Sequence, residues 1–149
     1  MPHRTQQFTM IQTEDAIDIR FSSCMENIDA VCRAVTRYLL FRLAAVQSPD
    51  HLFAVNLVMR EGLTNAVRHG NKNDTAKEVR FRLKIVDDVS IHVEIEDQGN
   101  GFDWRKYRYS QFPLARDHGR GIFIMQTYCT RYGFNENGNI LFLQKDFTF

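Results

Sequence analysis

Residues 79–96 alternate so strictly that they have one good way to pair. Val79, Phe81, Leu83 and Ile85 share one face of an extended chain, and Arg80, Arg82 and Lys84 share the other. After Asp87–Val89, Ile91, Val93 and Ile95 fall on one face, opposite His92, Glu94 and Glu96. Side chains alternate with period two, so slipping one residue would move a whole apolar row into water. A turn at Asp87–Val89 matches apolar to apolar and sets Arg82 across from Glu94 and Arg80 across from Glu96. Each such pair contributes about 0.2–1 kcal/mol. A two-residue turn would oppose Lys84 to Ile91 and is rejected.

The rest of the chain arranges itself around this hairpin. Ala16–Phe21 alternates Ile17, Ile19 and Phe21 with Asp18 and Arg20, a strand pattern. Ser23 and Glu26 read as a capping box opening a helix. Met25, Ile28, Cys32, Val35, Leu39, Leu43 and Val46 give that helix an apolar stripe as far as the Ser48–Pro49–Asp50 breaker. A second helix follows Asp50 as N-cap, with Leu52, Val55, Met59, Leu63 and Ala66 on one stripe, and Gly70 with Asn71 ends it. A third helix follows Gly119–Gly121 and carries Ile122, Met125, Tyr128 and Cys129. Two terminal strands lie near Arg131–Glu136 and Ile140–Phe147, joined by Asn137–Gly138–Asn139. The order β, α, α, β, β, loop, α, β, β predicts an α+β fold. The expected form is a two-layer sandwich, with a mixed, mostly antiparallel sheet covered on one face by three helices.

The 149 residues suit one domain, read as residues 16–149 behind a polar, flexible arm at 1–15. Lys and Arg number 19 against 18 Asp and Glu, which argues against a protein held on nucleic acid by a general basic field. No apolar run approaches the roughly 20 residues of a membrane helix, and Met1 to Ile17 lacks the apolar core of a secretory signal. Three cysteines, Cys24, Cys32 and Cys129, without zinc-like spacing read as free thiols in a reducing cytoplasm.

Three segments could carry chemistry. On the second helix, with Glu61 at zero angle, Asn65 lies at about 40° and Arg68 at about −20°, away from an apolar stripe near about 160°. Taken alone, this is also how a solvated helix face looks. Asp97–Gln98–Gly99–Asn100–Gly101 ends a strand; it could be a plain turn, or an aspartate aimed at a ligand amine beside glycines that let the ligand approach. His118–Gly119–Arg120–Gly121 opens a helix, where backbone N–H groups and the helix dipole favour an anion. Neither a Walker motif nor a dinucleotide fingerprint is present.

In order, Glu61-x-x-x-Asn65-Ala66-x-x-His69-Gly70, Asp97-x-Gly99-x-Gly101 and Gly119-x-Gly121 closely resemble the N box and the two glycine boxes of the GHKL ATPase superfamily. Within it the chain looks most like the bacterial anti-sigma factor serine kinases, over roughly residues 16–147. The resemblance implies a GHKL (Bergerat) ATP-binding fold with ATP and Mg²⁺. Asn65 would hold the metal, Glu61 would act as base or orienter for the attacking hydroxyl, and Asp97 would bind the adenine amino group. Gly99 and Gly101 would shape the adenine pocket, with Gly119 and Gly121 along the phosphates. Arg116, His118 and Arg120 are candidate phosphate contacts on the loop that would form the lid. That loop is basic: residues 103–120 hold five bases and two acids, whereas residues 87–97 hold five acids and no Lys or Arg.

The implied function is an ATP-dependent protein serine kinase acting on an anti-anti-sigma partner with a STAS-type domain. It would also sequester a sigma factor in a partner-switching system in the cytoplasm. A homodimer is expected, without direct nucleic-acid or membrane contact. The alternative is a non-catalytic, nucleotide-gated binding module of the same fold, which would not depend on Glu61.

Overall fold

A computed structural model describes residues 8–103 and 117–147, with the backbone alone at 117–120 and 122. Its strands are β1 (Phe8–Gln12), β2 (Ala16–Ser22), β3 (Glu78–Val86), β4 (Ser90–Glu96), β5 (Arg131–Phe134) and β6 (Ile140–Asp146). The helices are α1 (Met25–Arg42), α2 (Pro49–Asn65) and α3 (Asp117–Tyr128). The strands form one sheet in the order β1-β2-β3-β4-β6-β5.

Every neighbouring pair in that sheet is antiparallel, so the expected mixed sheet is corrected: the described residues hold no parallel pair. The connections explain this. Two helices separate β2 from β3, and the second undoes the reversal of the first. Only α3 separates β4 from β5, which does make those strands parallel, but β6 lies between them.

The hairpin register is the expected one, with Arg82 opposite Glu94 and Arg80 opposite Glu96. Ile17, Ile19, Phe21, Phe81, Leu83, Val93, Ile95, Leu141 and Leu143 bury one face of the sheet, in one core with Val31, Val35, Leu39, Val55, Met59, Leu63 and Met125 of the helices. The charged rows lie on the other face. Arg82 meets Glu94 at 2.6 Å. Arg80, however, turns from Glu96 to Asp18 on β2, which accepts from both its Nε and its Nη2 at 3.2 and 2.7 Å. A forked guanidinium prefers a carboxylate it can grip twice.

Three local expectations are corrected. The arm at 1–15 is in part a strand, since Phe8–Gln12 pairs with β2 from Phe8↔Phe21 to Gln12↔Ile17. Residues 1–7 lie outside the described residues. Main-chain bonding to the edge of β2 needs no alternating pattern, which is why the sequence hid it. The intervening turn is pinned where Tyr38 Oη donates to Thr13 O at 2.9 Å. Second, Ser23 makes no capping bond: Cys24 is the N-cap, without a side-chain cap. Third, α1 stops at Arg42 and a 3₁₀ turn, Ala44–Gln47, carries Val46 into the core. Pro49 then opens α2 at its first turn, where a missing N–H costs nothing, with Ser48 rather than Asp50 as N-cap.

Candidate nucleotide site

Beyond Asn65 the second helix widens into a π-helical segment, Ala66–Gly70, capped by the Asn71 N–H bonding Ala66 O. Such widened turns mark functional sites often enough to direct attention here. The segment runs beside the end of β4, and a cavity of about 330 Å³ opens between them. Its lining includes Asn65, Gly70, Asp97, Gly101, Phe102, Phe134 and Asn139. That volume is at the small end of the range for ligand sites, roughly 300–1,000 Å³.

Asp97 is the acid of this cavity and is only 9% exposed. Its backbone continues the sheet, the N–H donating to Asn139 O at 2.9 Å. Its Oδ1 accepts from the Gly99 N–H at 2.8 Å. Burial pushes its carboxyl up to about 6, against the lowering effect of the Gly99 N–H. A carboxylate held there without full hydration is ready to accept from a ligand amine. The glycines leave the space it works in. A Cβ on Gly99 would overlap the Gly70 carbonyl, and Gly101 adopts φ +78°, where a Cβ would also overlap the Asn137 carbonyl. An L side chain is excluded from the first by contact and disfavoured at the second by backbone conformation. Phe102 and Phe134 form an apolar wall, edge to face with ring centroids 4.9 Å apart.

The other half of the site is where α2 faces α3. Gly121 is buried, and a Cβ built on it would lie 2.9 Å from Asn65 Nδ2 and 3.7 Å from Glu61 Oε2. Glu61, Asn65 and Gly121 therefore converge, as do Asp97, Gly99 and Gly101, and α2 with its π segment joins the two groups. The third helix starts at Asp117, so Gly119 and Gly121 lie within its first turns rather than before it, a correction to the expected start. Gly121 lies where α3 meets Asn65, and a residue without a side chain leaves room for that approach. His118 and Arg120 fall on that turn too, described by backbone alone, and Arg116 lies outside the described residues.

Several cavity residues carried no sequence signal strong enough to assign them. Arg68, His69 and Lys72 also line the cavity. Phe102 directly follows the glycine box, which was the available cue. Asn139 lines the cavity with its amide shared between Asn135 and Asp97 O. The described residues hold no cluster of three or more His, Cys, Asp or Glu that could cage a metal. A single side-chain amide such as that of Asn65, which lines the cavity, suits Mg²⁺ instead, since this ion keeps water and phosphate oxygens in most of its coordination sphere.

The profile of the histidine kinase-like ATPase domain matches residues 21–145. The chain belongs to that family. The family description implies that the domain binds ATP. Among curated relatives, the serine-protein kinase RsbW of Bacillus subtilis is 28% identical over 86 residues, 52% of this chain and 53% of the relative. RsbW of Staphylococcus epidermidis is 27% identical over 127 residues, 79% of this chain and 77% of the relative. The anti-sigma F factor of Geobacillus stearothermophilus is 26% identical over 114 residues, 74% and 75%. The chain spans about half the length of the first of these relatives. Among the described residues, no helix is long and apolar enough to cross a membrane.

Proposed function

We propose that this chain is an ATP-binding anti-sigma factor that phosphorylates a serine of an anti-anti-sigma partner carrying a STAS-type domain. It holds a sigma factor when that partner is absent or phosphorylated. The carrying observation is the convergence of Glu61 and Asn65 on Gly121, with Asn65 and Asp97 lining one cavity. In this reading the base sits against Asp97 and the Phe102–Phe134 wall, with the triphosphate running toward α3. Asn65 would hold Mg²⁺, which would supply charge neutralisation for the phosphates. Glu61 takes the proton of the serine hydroxyl, whose oxygen bonds to the γ-phosphorus as the bridging P–O bond breaks and ADP leaves. Phosphoryl transfer of this kind rests on positioning and electrostatics. The names of the relatives support the kinase and anti-sigma roles. A cytoplasmic homodimer is part of the same proposal.

The test is incubation with labelled ATP, Mg²⁺ and candidate anti-anti-sigma proteins. Label on a partner serine, lost with Glu61→Gln, is the expected result. ATP binding without transfer to any cognate partner would leave the non-catalytic, nucleotide-gated module standing in its place.

A further inference from the structure

The residue after the π segment, Asn71, is only 1% exposed, and its side chain is bonded on both ends. Its Nδ2 donates to Ser23 Oγ at 2.5 Å and to Glu78 O at 2.9 Å. Its Oδ1 accepts from the Gln98 N–H at 2.7 Å. Only one amide orientation satisfies all three, because a flipped group would set its N–H₂ against the Gln98 N–H and its oxygen against Glu78 O. Gln98 is held a second time, its Oε1 accepting from the Glu78 N–H at 2.7 Å. Four separate pieces of chain meet at this one amide: the entry to α1, the end of the π segment, the start of β3 and the exit of β4.

Gln98 is the neighbour of Asp97, and its N–H fixes the peptide plane on which the Asp97 carboxylate depends. We propose that Asn71 is a positioning residue for nucleobase selection, locking the Asp97–Gly99 turn so that its carboxylate meets the base amino group, with Ser23 as its anchor. Asn71 touches no substrate and acts only through Gln98. The inference rests on the ATP-site reading above and assigns what sets its selectivity. A buried polar network is most specifying when every member is bonded, and half-bonded it loosens the part it holds. Alanine at 71 leaves the Gln98 N–H and Glu78 O without their partner. Alanine at 23 removes only the anchor.

The experiment compares binding of ATP and inosine triphosphate, with Mg²⁺, by calorimetry. Inosine presents a carbonyl where adenine presents its amine. Wild-type chain should prefer ATP. Asn71→Ala should shrink that preference by about tenfold, and Ser23→Ala by at least about threefold, the scale of lost buried hydrogen bonds. Weakening of both nucleotides by the same factor, with the preference intact, would overturn the inference, because a merely structural asparagine predicts that. If Asn71→Ala does not fold, Ser23→Ala alone decides by the same ratio. Failure of wild-type chain to bind or to discriminate overturns the ATP-site reading itself, and is seen before any variant is made.

Discussion

Gly70 and Asp97 leave no room for a methyl group between them: a Cβ on Gly70 would overlap the Asp97 carboxylate. The end of the π segment and the end of β4 are thus fitted backbone to side chain. Gly70→Ala must push the carboxylate out of its place or bend the segment. Overpacking of this kind costs about 1–3 kcal/mol. The fold should survive, with a lower melting temperature, while calorimetry shows ATP affinity falling by at least about tenfold, the equivalent of about 1.4 kcal/mol.

Burial raises the Asp97 carboxyl to about 6 from an ordinary value of 3.8. The folded chain therefore holds this proton more tightly than the unfolded chain. Its contribution to stability is fully present below the unfolded value and is lost as pH rises through about 6. Acidification from pH 7 to 4 should stabilise the free protein relative to Asp97→Asn, by on the order of 2–3 kcal/mol at most. Melting curves of the two proteins across that range check this. ATP affinity should run the other way, weakening below about pH 6 as the acceptor is protonated.

Glu61→Gln keeps the size and the polarity of the side chain and removes its basicity. Phosphoryl transfer should fall by about 10²–10⁴-fold, the usual contribution of a positioned general base. ATP binding should stay within about threefold, since positioning without the proton acceptor is unchanged. Asn65→Ala should instead abolish the effect of Mg²⁺ on ATP affinity. Single-turnover transfer and titration with and without metal separate the two.

The Phe102–Phe134 pair predicts a contribution that ignores the phosphates. Phe102→Ala removes the edge-to-face contact, about 0.5–1.5 kcal/mol, together with part of the apolar wall. ATP, ADP and AMP should all weaken by a similar factor. A loss confined to ATP would show that the ring serves the phosphate end instead.

The sheet was readable where faces decide register, as in the Arg82–Glu94 pairing, because one slipped residue would expose an entire row. The candidate site was legible as groups of residues, since Glu61 and Asn65 do lie beside Gly121 and Gly99 beside Asp97. Gly121, however, reads in the sequence as a helix start open to an anion and not as a close approach of α3 to α2. Ser23 was misread for a physical reason. A serine two residues before a helix looks like a cap from its neighbours, but a buried amide 48 positions away takes its hydroxyl. Asn71 looked like a helix stop and is one, yet its side chain works across three other segments. The strand at Phe8–Gln12 escaped because main-chain pairing at a sheet edge leaves little trace in side-chain pattern.

The widened coil at Ala66–Gly70 has a consequence for how this protein tolerates change. The Asn71 amide reaches back to Ala66 O and the Asn73 amide to Val67 O. A coil of that width advances each side chain by less than the roughly 100° of an α-helix. By Gly70 the chain has fallen behind by a large part of one residue's rotation, and that lag brings Gly70 onto Asp97 while Asn65 still faces α3. Spacing is therefore itself a functional character here. Inserting one residue within 66–69 would turn Gly70 by about a further 100° and away from β4. Deleting one and recovering ordinary pitch would leave Gly70 facing much as it does, because the lag and the lost residue cancel. Glu61, Asn65, Asp97 and the glycines would all survive such an insertion, and the two halves of the site would no longer face one cavity.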